Sequence, residues 1–276
     1  MKFNKFLDVI KSMKFFLYFT SIAPVLLAFF IDKLNNLLIF TLLLLLVISA
    51  QLMMNISMDI LDFKNNVKVR NENTFFPIGP YSIAISNFKL KNLEIVLALS
   101  ILFVILDGLI ILILTKEYIL IFFGIFAIFL SILYIITPIS LYRRGFGEIS
   151  TFFNFGPLPL IGSLLAFHYQ INIQYFIISV FLGFFASAIR YLHHIPEDDP
   201  NSFRVKNFKL IYSLIIVLGI LLPILFGFLL LIILIVPVIW HIIRLPEDIE
   251  SISQKTYQIV LLHILGTLLI IIQLYI

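Results

Sequence analysis

Apolar residues fall along this chain in long unbroken runs, with the polar residues gathered between them. A helix rises about 1.5 Å per residue, so some 20 apolar residues cross a hydrocarbon core about 30 Å thick. The runs predict membrane-spanning helices near 15–31, 37–55, 95–114, 118–136, 152–168, 173–192, 210–223, 226–243 and 257–276. From Leu210 to Ile243 the only ionisable side chain apart from tyrosine is His241, and the run is too long for one crossing. Pro223 and Gly227 divide it into two crossings joined by a tight hairpin. The expected fold is therefore all-α, a single domain over 1–276, with nine transmembrane helices around a central cavity.

Composition agrees with the pattern. Hydrophobic residues make up 62% of the chain and charged residues 12%, against about half and a quarter in soluble domains. The absence of cysteine excludes disulfides, thiolate nucleophiles and cysteine-based metal sites. Lys2, Lys5, Lys11 and Lys14 resemble the basic start of a signal peptide, but no small-residue cleavage site follows. The first run thus reads as a retained helix.

Charge distribution orients the expected bundle. With nine crossings, every Lys and Arg except Lys33 and Lys116, of 19 in all, falls on the side of the N-terminus. Basic loops stay inside, so the N-terminus is expected in the cytoplasm of an integral cell-membrane protein. Most of the acids lie on the same side, among them Asp59, Asp62, Glu148, Glu197, Asp198 and Asp199. Polar chemistry is therefore expected at the cytoplasmic face. Nothing points to nucleic acid, and protein partners are not legible.

Two acidic constellations stand out. Asn55, Asp59 and Asp62 are spaced i, i+4, i+7, one helical face at the end of the second span. Oxygen ligands of this kind suit Mg²⁺, which takes one or two carboxylates with water and substrate phosphates. A solvated polar helix end is the plain alternative. After the sixth span comes His193-His194-Ile-Pro-Glu197-Asp198-Asp199-Pro-Asn201, with Arg204, Lys206 and Lys209 beside it. Two acidic clusters with accompanying cations fit a metal–diphosphate site, in which Lys and Arg neutralise phosphate oxygens. Zinc is not expected, because adjacent histidines on a helix point apart and no third His or Cys has the spacing. Asp107 is an acid inside a span, a functional candidate on that ground alone. His168, His241 and His263 read as packing residues.

These residues resemble a family. Asn55-x-x-x-Asp59 after the second helix and the acidic motif after the sixth are similar to the UbiA superfamily of intramembrane prenyltransferases. Tyr142-Arg-Arg144-Gly-Phe-Gly147-Glu148, followed by Phe155-Gly156-Pro157 and Gly162, resembles its menaquinone-pathway branch. The likeness covers nearly the whole chain. It implies Mg²⁺-dependent transfer of a polyprenyl chain from prenyl diphosphate to an aromatic acceptor, 1,4-dihydroxy-2-naphthoate or a similar quinone precursor. It also implies metal ligation by Asn55, Asp59, Asp62, Glu197, Asp198 and Asn201. Diphosphate would bind through Asn55, Lys64, Lys68, Arg70 and Lys206. Tyr142 and Arg144 would border the reacting atoms with Asp59 and Asp62, and Asp59 ranks first among them.

The sequence departs from the family pattern in several places. Ile56 stands where the first motif commonly has Asp, and Phe63 or Asn65 stands where a later acid falls, with Asp62 as its stand-in. Glu197 and Asn201 occupy the acid positions of the second motif. Two alternatives follow: a non-quinone acceptor such as a glycerol-phosphate ether lipid, or a catalytically weakened, lipid-binding homologue. A short echo, His194-Ile-Pro-Glu-Asp and Arg244-Leu-Pro-Glu-Asp, suggests two pseudo-repeated halves.

Overall fold

The computed structural model describes residues 11, 14–70, 72, 77–86, 88–136, 140–142 and 144–276, without the side chains of 249 and 250. Lys2, Lys5 and Arg143, counted above for orientation, lie outside these residues, as does the side chain of Glu250. Every regular element among the described residues is helical. The principal helices are α1 (Phe19–Ile31), α2 (Leu37–Lys64), α3 (Leu90–Thr115), α4 (Leu120–Ile135), α5 (Gly147–Phe155), α6 (Pro157–Ala166), α7 (Ile173–His194), α8 (Phe208–Leu225), α9 (Ile235–Ile243) and α10 (Thr256–Leu274).

Six apolar helical segments are long enough to cross a membrane: α2, α3, α5 with α6, α7, α8 and α10. Three shorter apolar segments, Phe15–Ile31, α4 and Leu229–Ile243, fall at the remaining expected spans. The chain is thus an integral membrane protein by composition and length of helix. Large apolar side chains such as Ile113 and Phe122 are exposed on α3 and in α4, where water would be costly and lipid is the natural neighbour.

Local chemistry explains where the helices begin and end. Asn36 Oδ1 accepts the Ile39 N–H at the start of α2, and Asn172 Oδ1 accepts the Tyr175 N–H at the start of α7. The fifth expected span is two helices, broken at Gly156 with Pro157 opening α6. A Cβ on Gly156 would collide with the Ser179 carbonyl and Gly183, so α5 and α7 cross almost backbone to backbone. The hairpin after Pro223 turns at Gly227, whose φ of +99° favours glycine. Pro223 itself stays inside α8.

α7 is the pillar of the bundle, buried along most of its length and packed against α1, α5, α6, α8 and α10. The largest difference from the sequence reading is α2. It does not stop at 55 but runs to Lys64, so Asn55, Asp59 and Asp62 stand on the helix, as their spacing predicts. The echo motifs differ in conformation. Ile195–Glu197 form a 3₁₀ turn, whereas the helix after Pro246 begins only at Ile249. The two segments are neighbours, since the turn at Ile249–Ile252 packs on Ile195–Glu197.

Candidate functional site

Loops that alternate along the chain meet at one end of the bundle. Arg70 is pinned in its loop by an antiparallel pair of backbone hydrogen bonds with Ile78, both 3.1 Å. Its guanidinium donates to the Pro196 carbonyl at 2.5 Å. The segments following α2 and α7 are therefore in contact, as a shared site requires.

Two cavities open at this end. One, of about 530 Å³, is polar and is lined by Asp62, Lys68, Arg70, Tyr142, Arg144, Arg190, Glu197, Asp198 and Arg204, among others. The other, of about 560 Å³, is chiefly apolar and runs among α2, α3, α4, α6 and α7. Asp62, Tyr142, Arg190 and His194 line both, so they stand where charged and apolar space join. The part of α2 lining the apolar cavity, Leu43 to Asp62, is about 28 Å long at 1.5 Å per residue, close to a hydrocarbon thickness.

Under the polar cavity lies a network of charges. Glu148 accepts from Arg190 at 2.5 Å and from Arg204 at 2.8 and 2.9 Å, and Arg204 also donates to Asp198 at 2.8 Å. Arg190 donates to the Tyr134 hydroxyl at 3.0 Å. Glu197 accepts from Tyr142 at 2.5 Å and pairs with His194 at 2.7 Å. Burial, then the neighbouring Glu197 and Asp62 carboxylates, push the Tyr142 hydroxyl well above its usual range, so it stays a neutral donor at physiological pH. Burial raises the Asp198 carboxyl, against the pull of Arg204.

The network gives the glycines of the Gly145-Phe-Gly147-Glu148 stretch a physical reason. Gly145 has φ +77°, and a Cβ there would meet the Arg204 side chain. A Cβ on Gly147 would fall on the Arg190 guanidinium. Gly147→Ala should therefore destabilise the protein by about 1–3 kcal/mol, read as a lower unfolding midpoint in detergent. An unchanged midpoint would mean that Arg190 moves aside freely.

The expected site residues divide into two groups. Asp62, Lys68, Arg70, Tyr142, Arg144, Glu197 and Asp198 share the polar cavity, and Asn55 lines the apolar one beside Asp62. Asp59 lines neither. It is buried on α2, accepts from the Ser82 hydroxyl and N–H, and lies 3.7 Å from Lys14. Lys64 pairs with Glu94 at 3.6 Å, Lys206 is exposed outside both cavities, and the Asn201 N–H donates to Asp199.

Several residues went unrecognised in the sequence, chiefly Arg190, Tyr134 and the pairing role of Glu148. The signal available was an arginine at the end of an apolar helix, which counts for orientation but also needs a partner. The histidines differ from expectation. The His193 and His194 rings lie 4.5 Å apart, edge to face, at the end of α7 instead of diverging. His168 pairs with Glu117 at 2.8 Å, tying the α3–α4 loop to the α6–α7 loop, and His241 bonds Tyr212 and Gln258. His263 packs among Phe19, Phe181 and Phe185 as expected.

No protein-family model matches the chain, and no curated protein matches it. The site must therefore be read from its own geometry. Among the described residues no three His, Asp or Glu side chains are grouped to hold a metal by themselves. The carboxylates on the polar cavity are Asp62, Glu197, Asp198 and Asp199, all hard oxygen donors. That donor chemistry fits Mg²⁺ held jointly with a phosphate ligand, since the ion takes one or two carboxylates and completes its shell from water and phosphate.

Proposed function

We propose that the chain is a membrane prenyltransferase of the UbiA type, transferring a polyprenyl chain from prenyl diphosphate to an aromatic quinone precursor such as 1,4-dihydroxy-2-naphthoate. The observation that carries this reading is the junction of a charged cavity with a long apolar one at Asp62, Tyr142, Arg190 and His194. An allylic diphosphate has this division, an anionic head on an apolar tail. Lys68, Arg70 and Arg144 supply positive charge to the head. Asp62, with Glu197 and Asp198, would hold Mg²⁺, whose contribution is to neutralise charge on the departing diphosphate.

In the reaction the allylic C–O bond breaks and diphosphate leaves with the electron pair. A ring carbon of the acceptor bonds to the allylic carbon and then releases a proton, or carbon dioxide where it bore a carboxylate. Tyr142 lines the junction and Tyr134 the apolar cavity beside it; the Arg190 guanidinium lies 5.2 Å from the Tyr134 ring centroid and 5.6 Å from that of Tyr142, so the allylic cation would be met by the ring faces that Arg190 leaves open. Apolar walls keep water from intercepting it. With basic loops inside, the site faces the cytoplasm.

A second reading, a lipid-binding relative without turnover, is favoured by one observation. Glu197 is engaged by Tyr142 and His194, Asp198 by Arg204, and Asp59 by Ser82 and Lys14. Diphosphate release by purified protein, with a panel of aromatic acceptors, separates the two. Release is expected to require both an acceptor and Mg²⁺ and to stop on chelation. Tight binding of prenyl diphosphate without release for any acceptor would establish the second reading.

A further inference from the structure

The glycines of this chain are of two kinds. Gly145, Gly147, Gly156, Gly183, Gly219 and Gly266 are crowded, and a Cβ on any of them would meet a neighbour at 2.9 Å or less. Gly79 and Gly227 have positive φ in turns. Gly108, Gly124 and Gly162 fit neither group. Gly108 and Gly124 have nothing within 4 Å of a Cβ, and Gly162 would make only an ordinary contact with Phe123 at 3.6 Å. All three are inside helices, where glycine costs about 1 kcal/mol relative to alanine. Neither backbone conformation nor close packing accounts for them.

What they share is position. All three line the apolar cavity, from three different helices. Gly108 lies about two turns before the end of α3, Gly124 about one turn after the start of α4, and Gly162 about one turn before the end of α6. Those helix ends are the ones joined by His168 and Glu117, opposite the charged cavity. The three glycines therefore lie around the half of the apolar space away from the charged cavity, Gly124 exposed and Gly108 and Gly162 half-exposed, with no atom within 4 Å of a Cβ on Gly108 or Gly124.

We propose that Gly108, Gly124 and Gly162 set the length of the apolar chain that the cavity accepts, leaving its far end open for a long polyprenyl tail. The identity of the tail as prenyl rests on the function proposed above. A chain headed at Asp62 must pass most of the cavity's depth before it meets these positions, with Leu43, Leu112 and Leu120 lining the space beyond. Short tails end before them. Side chains at these positions thus act as a stop for long tails alone.

The test is binding to purified full-length protein of two series of increasing length, prenyl alcohols and prenyl diphosphates. Gly124→Leu and, on another helix, Gly108→Leu are compared with Gly124→Ala. Each Leu variant is expected to bind the longest members about tenfold or more weakly, since each excluded CH₂ forfeits roughly a factor of four, and to leave the shortest unchanged. Gly124→Ala should shift the cut-off little. An equal loss at every length, no loss at any length, or no binding of any alcohol by the unaltered protein would overturn the proposal. A length cut-off among alcohols, with diphosphates binding no better, would uphold the length stop and reject the diphosphate reading.

Discussion

Asp62→Asn is expected to lower Mg²⁺-dependent prenyl transfer by roughly a hundredfold or more, the usual cost of losing one stabiliser of developing charge. Asp62 is the acid on α2 that lines both cavities, and its charge is felt at the Tyr142 hydroxyl beside Glu197. The resemblance to the prenyltransferase family ranks Asp59 ahead of it. The structure gives reason to reverse the order. Asp59 faces Ser82 and Lys14 and lines neither cavity. Asp59→Asn is therefore expected to act on stability first, and Asp62→Asn on turnover with folding intact. Initial rates of diphosphate release, measured beside unfolding midpoints, distinguish the two. Full turnover in Asp62→Asn would remove this residue from the site.

The largest effect on stability is expected from Glu148→Gln. Glu148 pairs with Arg190 while their side chains are only 15% and 7% exposed. Removing one partner of a buried pair typically costs about 3–5 kcal/mol, because the other charge stays buried without compensation. Arg204 would lose the same acceptor. The change keeps side-chain shape, so lost packing cannot mimic it. Thermal unfolding in detergent at neutral pH should show the drop, and a midpoint within error of the parent would mean that Arg190 finds another acceptor. Removing both charges, with Glu148→Gln and Arg190→Met together, is expected to cost less than Glu148→Gln alone.

Much of this was legible in the sequence. Runs of apolar residues mark the helical segments because hydrocarbon thickness imposes a length, and Gly227 turns the hairpin where the long run had to divide. The same criterion failed for α2, which continues past Asn55 as a polar helix. Hydropathy registers where apolar residues stop, not where backbone hydrogen bonding stops. Spacing put Asn55, Asp59 and Asp62 on one face but could not say which acid meets the cavity. That depends on Ser82, brought back onto α2 by the loop that follows it. Arg190 counts only toward orientation in the sequence, because its partners, Tyr134 and Glu148, lie 56 and 42 residues away. The glycines beside them were conspicuous in the sequence, but only the guanidinium groups that crowd them show what the missing side chains make room for.

The order of the charges along the chain bears on how the protein is made. Glu148 opens α5, and Arg190 follows 42 residues later near the end of α7. A ribosome delivers the carboxylate first. An arginine at the centre of a membrane helix resists insertion by about 2.5–3.5 kcal/mol on translocon scales, and Arg190, one turn from the end of α7, bears a part of that cost. Here the guanidinium emerges after its acceptor and the Tyr134 hydroxyl have been synthesised, so α7 can enter the bilayer against a waiting counter-charge. Reversing the order of these two residues would keep the finished contact but would bring the cation to the bilayer before its counter-charge is made.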